Sequence, residues 1–363
     1  MYIYEHPEWP AFSWDLERIF IPFSNAVHLH GKLLGLMETL TTEAQAESDL
    51  LIQTESIIAS SAIEGAVLDR RTVRSSLARH LSSLPYVRDP TVDHRAERAV
   101  SMNLEATVHY DRPLTRERLL MWHRTLFDGS SIKGGSFRSD VRGRMQVVSY
   151  NAGPTPLIHF EAPKASTLDH EMDRFLSWVN REKGEHPFIT AAIAHLWFLT
   201  LHPFEDGNGR IGRAVVDYLL ARSERSQLRF YSPSSAINRE KSSYYRALEA
   251  TQKGSLDITA WVLWFLNCLE RSFCSAQETV ASVLRRERFY RQAATLPLSK
   301  NQLALLARYL DDFTGTLTSS KYATICKVSQ DTATRDLKDL CAKGLFTQVG
   351  AGRSTHYVLA SEE

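Results

Sequence analysis

Cysteine is scarce in this chain. Four residues, Cys268, Cys274, Cys326 and Cys341, occur among 363. None stands in a C-x-x-C pair or beside clustered histidines, so neither a zinc ribbon nor a disulfide framework is indicated. An excess of charge of one sign is equally lacking: 43 Lys and Arg face 42 Asp and Glu, so no global field draws the chain to nucleic acid or to a membrane surface. No apolar run is long enough for a spanning helix, which needs roughly 20 residues. The first six residues, MYIYEH, hold no basic segment leading into an apolar run, so a cytoplasmic location with no membrane partner is expected. Internal repeats and low-complexity tracts are absent from the sequence. With 43% hydrophobic residues, the chain can bury two or three cores.

What is present is concentrated in one run, HPFEDGNGRIGR, at residues 202–213. Upstream, residues 187–199 are almost wholly apolar behind Pro187, which places His202 at the end of a buried helix. Downstream, Ile211, Ala214, Val215, Tyr218 and Leu219 recur at helical spacing, so Gly207, Asn208 and Gly209 fall at or just before a helix N-terminus. Unpaired N–H groups and the positive end of the helix dipole favour phosphate there, and glycine lets the backbone approach it closely. Arg210 and Arg213, three apart, can face one anion. Asp206, four residues after His202, suits a Mg²⁺ ion that keeps most of its ligands as water and phosphate oxygen. These are the parts needed to hold a nucleoside triphosphate and attack it.

The run matches the signature H-x-F-x-[DE]-G-N-G-R-x-x-R at every fixed position and so resembles the Fic family. The resemblance implies a mainly α protein with a Fic-like helical core and a β-hairpin flap, moving AMP from ATP onto a hydroxyl of a target protein. On this chain His202 would be the base for that hydroxyl and Asp206 the Mg²⁺ ligand. Asn208 with the amides of Gly207 and Gly209 would form the anion hole, Arg210 and Arg213 would grip the polyphosphate, and Phe204 would anchor the loop. An imidazole with the ordinary pKa near 6.5 is largely neutral in cytosol and can accept a proton.

Three further stretches resemble parts of the same family. Residues 50–68 read as an amphipathic helix with Ile57, Ile58, Ser61 and Ile63 among its apolar or small positions. Within it SSAIEG (60–65) fits the [ST]-x-x-x-E-[GN] pattern of an inhibitory helix. The resemblance makes Ser60, Glu64 and Gly65 inhibitory, with Glu64 pairing bidentately with Arg213 and withdrawing it from the γ-phosphate. Residues 145–160 place strand-forming residues on both sides of an Asn-Ala-Gly-Pro turn, and the hairpin looks like the family's flap, which clamps a target segment by main-chain pairing. Residues 244–254 resemble the adenine-side helix, with Tyr245 and Gln252 as nucleoside contacts; relatives often carry Asn where this chain has Gln252.

The organisation expected is a helical N-terminal region (1–90), a catalytic core (91–292) and a C-terminal module (298–360). The first region opens on Tyr2, Tyr4, Trp9, Phe12 and Trp14, expected as core or interface anchors, and resembles an uncharacterised domain that often precedes Fic domains. A boundary loop is expected at residues 83–90. The core should close with a long helix from Asp257 whose apolar face holds Trp261, Trp264, Phe265 and Leu269. Helices at 300–311 and 319–326, a capped helix after Ser329 and two strands around Gly350-Ala351-Gly352 resemble a winged helix-turn-helix. Residues 301–363 hold seven Lys or Arg against seven Asp or Glu, so DNA binding should be weak and protein contact or homo-oligomerisation is favoured. The function expected is a protein adenylyltransferase that can also modify itself. The alternatives are a hydrolase that strips AMP from a target, with Glu64 orienting water, and a DNA-binding regulator with a nucleotide-sensing core.

Overall fold

The computed structural model describes all residues except 81–92, 133, 142, 150–155, 182–183, 312–314 and 361–363. The boundary loop expected at 83–90 and the turn of the hairpin therefore lie outside the described residues. The chain divides into two compact units, Met1–Val280 and Ala281–Glu363.

Among its described residues the first unit is helical apart from one hairpin and an isolated bridge between Ser13 and Asp257. Helix α1 (Leu16–Glu38) opens on an Asp15 cap, and α2 (Thr42–Ile63) opens on Thr41, whose side chain accepts from the Ala44 N–H at 3.2 Å. The expected helix at 50–68 is thus longer at its start and shorter at its end. It stops at Ile63 because Gly65 takes the left-handed conformation (φ 79°) and the Gly65 and Ala66 N–H groups turn back to Ala62 and Ser61. Helices α3 (Arg70–His80), α4 (His94–Val108) and α5 (Arg116–Phe127) follow, then strands β1 (Gln146–Ser149) and β2 (Leu157–Glu161). These two pair antiparallel, Val147 opposite Phe160 and Val148 opposite Ile158, so His159 is an extra residue in a bulge.

Helix α6 (Leu168–Asn180) leads to α7 (Pro187–Leu201), α8 (Asn208–Glu224), α9 (Pro233–Arg239), α10 (Lys241–Gln252) and α11 (Thr259–Ala294). From Phe188 to Leu201 every residue of α7 is buried, as its unbroken apolar sequence demands. Gly212 lets α8 come close: a β-carbon there would lie 3.2 Å from both Leu199 and Phe198. Trp261 of α11 donates to the Ala192 carbonyl at 2.8 Å, so α7 is engaged by α8 and by α11. The N-terminal aromatics belong to this same unit. Trp9 packs edge-on against Phe12 and Trp197 and donates to Glu171 at 3.0 Å, while Tyr2 and Tyr4 rest on Phe160 of the hairpin.

The second unit contains the end of α11, then α12 (Lys300–Asp311), α13 (Ser319–Cys326), α14 (Gln330–Ala342), β3 (Phe346–Val349) and β4 (His356–Leu359). Leu305, Leu317, Tyr322, Leu337, Leu340 and Phe346 form its core. Strands β3 and β4 pair antiparallel around Gly350-Ala351-Gly352, and Leu317 bridges to Tyr357. Among the described residues no helix is long and apolar enough to cross a membrane.

Candidate active site

The end of α7 sets the position of His202. It terminates the helix in the left-handed region (φ 47°, ψ 57°), a conformation that costs a non-glycine residue roughly 1–2 kcal/mol. Arg138, whose side chain is wholly buried, holds it there. Its Nε donates to the His202 carbonyl at 2.8 Å, its Nη2 to Pro163 and Leu201 carbonyls, and its Nη1 to Asp140 at 2.9 Å. His202 Nδ1 lies 3.3 Å from the Leu199 carbonyl. A carbonyl can only accept, so Nδ1 carries the proton and Nε2 is left as the basic nitrogen. The pKa departs from the ordinary value expected from sequence: burial pushes it down to about 4, against a raising effect of the Leu199 carbonyl. The ring is neutral well below pH 6.5.

The loop after His202 is closed on itself. Phe204, fully buried, donates its N–H to Asn208 Oδ1 at 2.9 Å, and Asn208 Nδ2 donates back to the Phe204 carbonyl at 2.7 Å. Both ends of the Asn208 side-chain amide are thus engaged in shaping the loop. What remains for an anion is the main chain, since the first-turn N–H groups of α8 have no carbonyl a turn earlier to bond. Gly207 caps this helix at φ 83°, and a β-carbon on it would lie 2.8 Å from the Phe127 ring. His123 stacks on Phe204 with ring centroids 4.1 Å apart. It accepts from the Gly135 N–H and donates to the Asp206 carbonyl at 3.2 Å.

Asp206 accepts from the Gly207 N–H at 2.6 Å with one oxygen; the other lies 3.6 Å from Arg210, and the side chain is 53% exposed. A carboxylate this exposed fits Mg²⁺ held mainly by phosphate and water; among the described residues no group of three or more metal-ligating side chains occurs. Arg210 lies over the Phe127 ring at 5.1 Å. Its Nε and the Nη1 of Arg213 are buried donors without a hydrogen-bond partner. Such groups are costly unless an anion completes them.

Arg213 is otherwise occupied. Its Nε donates to Ser60 Oγ at 3.0 Å, and its Nη2 to the Ser60 carbonyl at 2.7 Å and to Glu64 Oε1 at 2.9 Å. The expected bidentate pair is therefore a single-oxygen contact. Ser60, one turn before Glu64, occupies the Nε–Nη2 edge of the guanidinium. The Glu64 carboxylate covers Gly209, where a β-carbon would collide with it. Gly65 has no ligand-facing part beyond letting the chain turn away. Tyr245 reaches the Ile63 carbonyl at 3.4 Å, and burial together with the Glu64 charge pushes its hydroxyl up to about 12. Gln252 is buried, with Nε2 3.4 Å from Thr200 Oγ1.

A cleft of about 640 Å³ joins these parts. Glu64, His202, Asp206, Gly207, Asn208, Gly209, Tyr245 and Gln252 all line it. Ser60, Gly65, Arg210 and Arg213 are not on its wall; Ser60 and Arg213 stand behind Glu64 through the bonds above. The hairpin forms another wall through residues 145–149, His159 and Phe160. Sequence reasoning missed Arg138, His123 and the His159 bulge.

Residues 113–220 match the Fic/DOC family, residues 2–82 a domain of unknown function (DUF4172), and residues 301–360 the C-terminal domain of the transcriptional regulator DIP2311-like family. A protein adenylyltransferase Fic of Drosophila grimshawi is 33% identical over 44% of this chain and 29% of its own length. One of Aedes aegypti is 29% identical over 66% of this chain and 44% of its own. The chain thus spans less than half the length of these curated relatives. In fold, it is similar to the crystal structure of a Fic family protein from Desulfovibrio desulfuricans, with a TM-score of 0.59 and 20% identity over 98% of this chain and 99% of that one.

Proposed function

Residues 113–220 are a Fic/DOC-family domain, and from that premise we propose that the chain is a protein adenylyltransferase that moves AMP from ATP to a protein hydroxyl and is restrained by Glu64. The carrying observation is the convergence on one cleft of a neutral imidazole and the N–H groups of a helix start, with two incompletely bonded guanidiniums, Arg210 and Arg213, on the first turns of that same helix. His202 Nε2 takes the proton of the target hydroxyl as its oxygen attacks the α-phosphorus and pyrophosphate leaves. The α8 amides, Arg210 and Arg213 hold the polyphosphate, so catalysis rests mainly on positioning and electrostatics. Asp206 would hold Mg²⁺, which supplies charge neutralisation on the phosphates when bound. Tyr245 and Gln252 bound the nucleoside end. Val148, Leu157 and Ile158, exposed on the hairpin, offer a strand edge and apolar side chains to a target segment.

Support for restraint comes from Arg213, whose guanidinium donates to Ser60 and Glu64 and so is engaged before any nucleotide arrives. A second reading has one observation in its favour: only one Glu64 oxygen contacts Arg213, so the other can orient a water that strips AMP from a modified target. We assign the C-terminal unit to protein contact or self-association. ATP labelled at the α- or the γ-phosphate separates the chemistries. Label from the α-position should appear on protein, and His202→Ala should lower transfer roughly 10²–10⁴-fold while ATP still binds. Label only from the γ-position, or His202→Ala retaining over a tenth of the rate, would refute the reading.

A further inference from the structure

The bulge in the hairpin has a chemical consequence separate from the motif. Because Val147 and Val148 face Phe160 and Ile158, His159 is the residue left unpaired on β2. A bulge re-aims the side chain it releases. Here the imidazole meets a hydroxyl on one side and a carboxylate on the other: Nε2 lies 2.7 Å from Ser149 Oγ, and Nδ1 lies 2.8 Å from Glu249 Oε2 on α10. The tautomer follows from the acceptor. Burial raises the Glu249 pKa, but bonds from Lys253 and His159 outweigh it and hold Glu249 below the usual carboxylate range. The ionised carboxylate can only accept, so His159 Nδ1 carries the proton, and Nε2 is the lone pair that receives the Ser149 O–H. Nucleophile, base and orienting carboxylate are thus in hydrogen-bond sequence, the arrangement that activates a serine. All three line the cleft that holds His202 and the α8 start.

We infer that Ser149, with His159 as its base and Glu249 orienting that base, is a second nucleophilic centre of this cleft, which takes a nucleotidyl group from the α-phosphorus of a nucleoside triphosphate bound there. In the step, the Ser149 Oγ–P bond forms, the P–O bond to pyrophosphate breaks, the hydroxyl proton passes to His159 Nε2, and Glu249 faces the imidazolium that results. The nucleotide source rests on the adenylyl-transfer reading above; the activation of Ser149 does not. A simple latch tying the hairpin to α10 would need His159 and Glu249 but would give the serine no unusual reactivity.

Two probes on the full chain test this. A fluorophosphonate offers a phosphorus electrophile without ATP: Oγ–P forms, P–F breaks and fluoride leaves. Peptide mapping should find the adduct on Ser149, with labelling at least about 10²-fold slower in His159→Gln and Glu249→Gln, and undiminished in His202→Ala. No label on Ser149, equal rates in His159→Gln, or dependence on His202 would overturn the inference. With Mg²⁺ and ATP, Glu64→Gly protein should carry AMP on Ser149. AMP on other proteins but none on Ser149 would refute the nucleotidyl assignment. Should AMP reach no protein at all, the adenylyl-transfer reading and the nucleotidyl assignment fail together, while the fluorophosphonate result still decides whether Ser149 is activated.

Discussion

His202 sits in a backbone conformation that a histidine does not choose for itself, and Arg138 is the residue that holds it. Four of its contacts go to carbonyls or a carboxylate at fixed angles, a geometry lysine cannot reproduce. Arg138→Lys should therefore lower the melting temperature, by an amount equivalent to about 3–5 kcal/mol if the remaining acceptors stay unpaired, and adenylyl transfer should fall with it. Calorimetry beside a transfer assay checks this; unchanged stability would show that the loop holds its shape without the arginine. The His202 pKa makes a second residue-level prediction. Its folded value, about 4, lies below the ordinary 6.5, so the native state favours neutral imidazole. That contribution to stability is present above pH 6.5 and is lost as pH falls toward 4. The acid limb of kcat/KM, which reports the free enzyme, should lie nearer pH 4 than 6.5, read in a Glu64→Gly background. Residues 202–213 were legible in the sequence because they are contiguous and their types are restrictive. Arg138 was not: it lies 64 positions from the residue it holds, and no spacing announces that an arginine will fold beneath a loop.

Under the proposed function, helix α2 is the restraining element, and two small residues shape its end. Ser60 gives Arg213 two acceptors, its hydroxyl and its carbonyl, and Gly65 lets the chain leave the helix at φ 79°. Ser60→Ala removes one acceptor, while Gly65→Ala meets no neighbour within 4 Å and acts through backbone strain alone, roughly 1–2 kcal/mol. Each should raise adenylyl transfer several-fold by loosening the hold on Arg213, less than Glu64→Gly does. A steady-state rate comparison checks the order, and variants no faster than wild type would contradict it. The helix and its acidic residue could be read from sequence, but its start at Thr42 could not. Between Ser48 and Thr54 the buried face includes Ser48, Asp49, Gln53 and Thr54, which breaks the apolar periodicity. Polar bonds replace that pattern: Gln53 Nε2 and the Arg229 N–H both donate to Asp49. The hairpin was visible through its β-branched residues, whereas its bulge depends on register, which alternation does not encode.

For the whole molecule, the C-terminal unit has a charge balance that sequence counting does not resolve by position. Asp336 accepts from the Tyr322 hydroxyl at 2.7 Å, and Asp339 is held by Gln302 and Lys343; Arg335 and Lys338 stay exposed on α14. Under the assignment to protein contact, removing residues 298–363 should change the oligomeric state seen by light scattering, or the set of labelled targets, while transfer chemistry persists. Salt-resistant, sequence-selective DNA binding lost on that removal would point instead to a regulator. The central claim is that a carboxylate withholds an arginine from the nucleotide, and it makes a prediction opposite to the usual loss on mutating a site acid. The most direct measurement is Mg²⁺-dependent AMP transfer by wild type, Glu64→Gly and Glu64→Gly/Arg213→Ala, with ATP affinity measured alongside. The account predicts a rise of at least about tenfold for Glu64→Gly, the equivalent of 1.4 kcal/mol in the barrier, and loss of that gain in the double variant. Glu64→Gly no faster than wild type and unable to remove AMP from a modified target would contradict it and make Glu64 a hydrolytic residue.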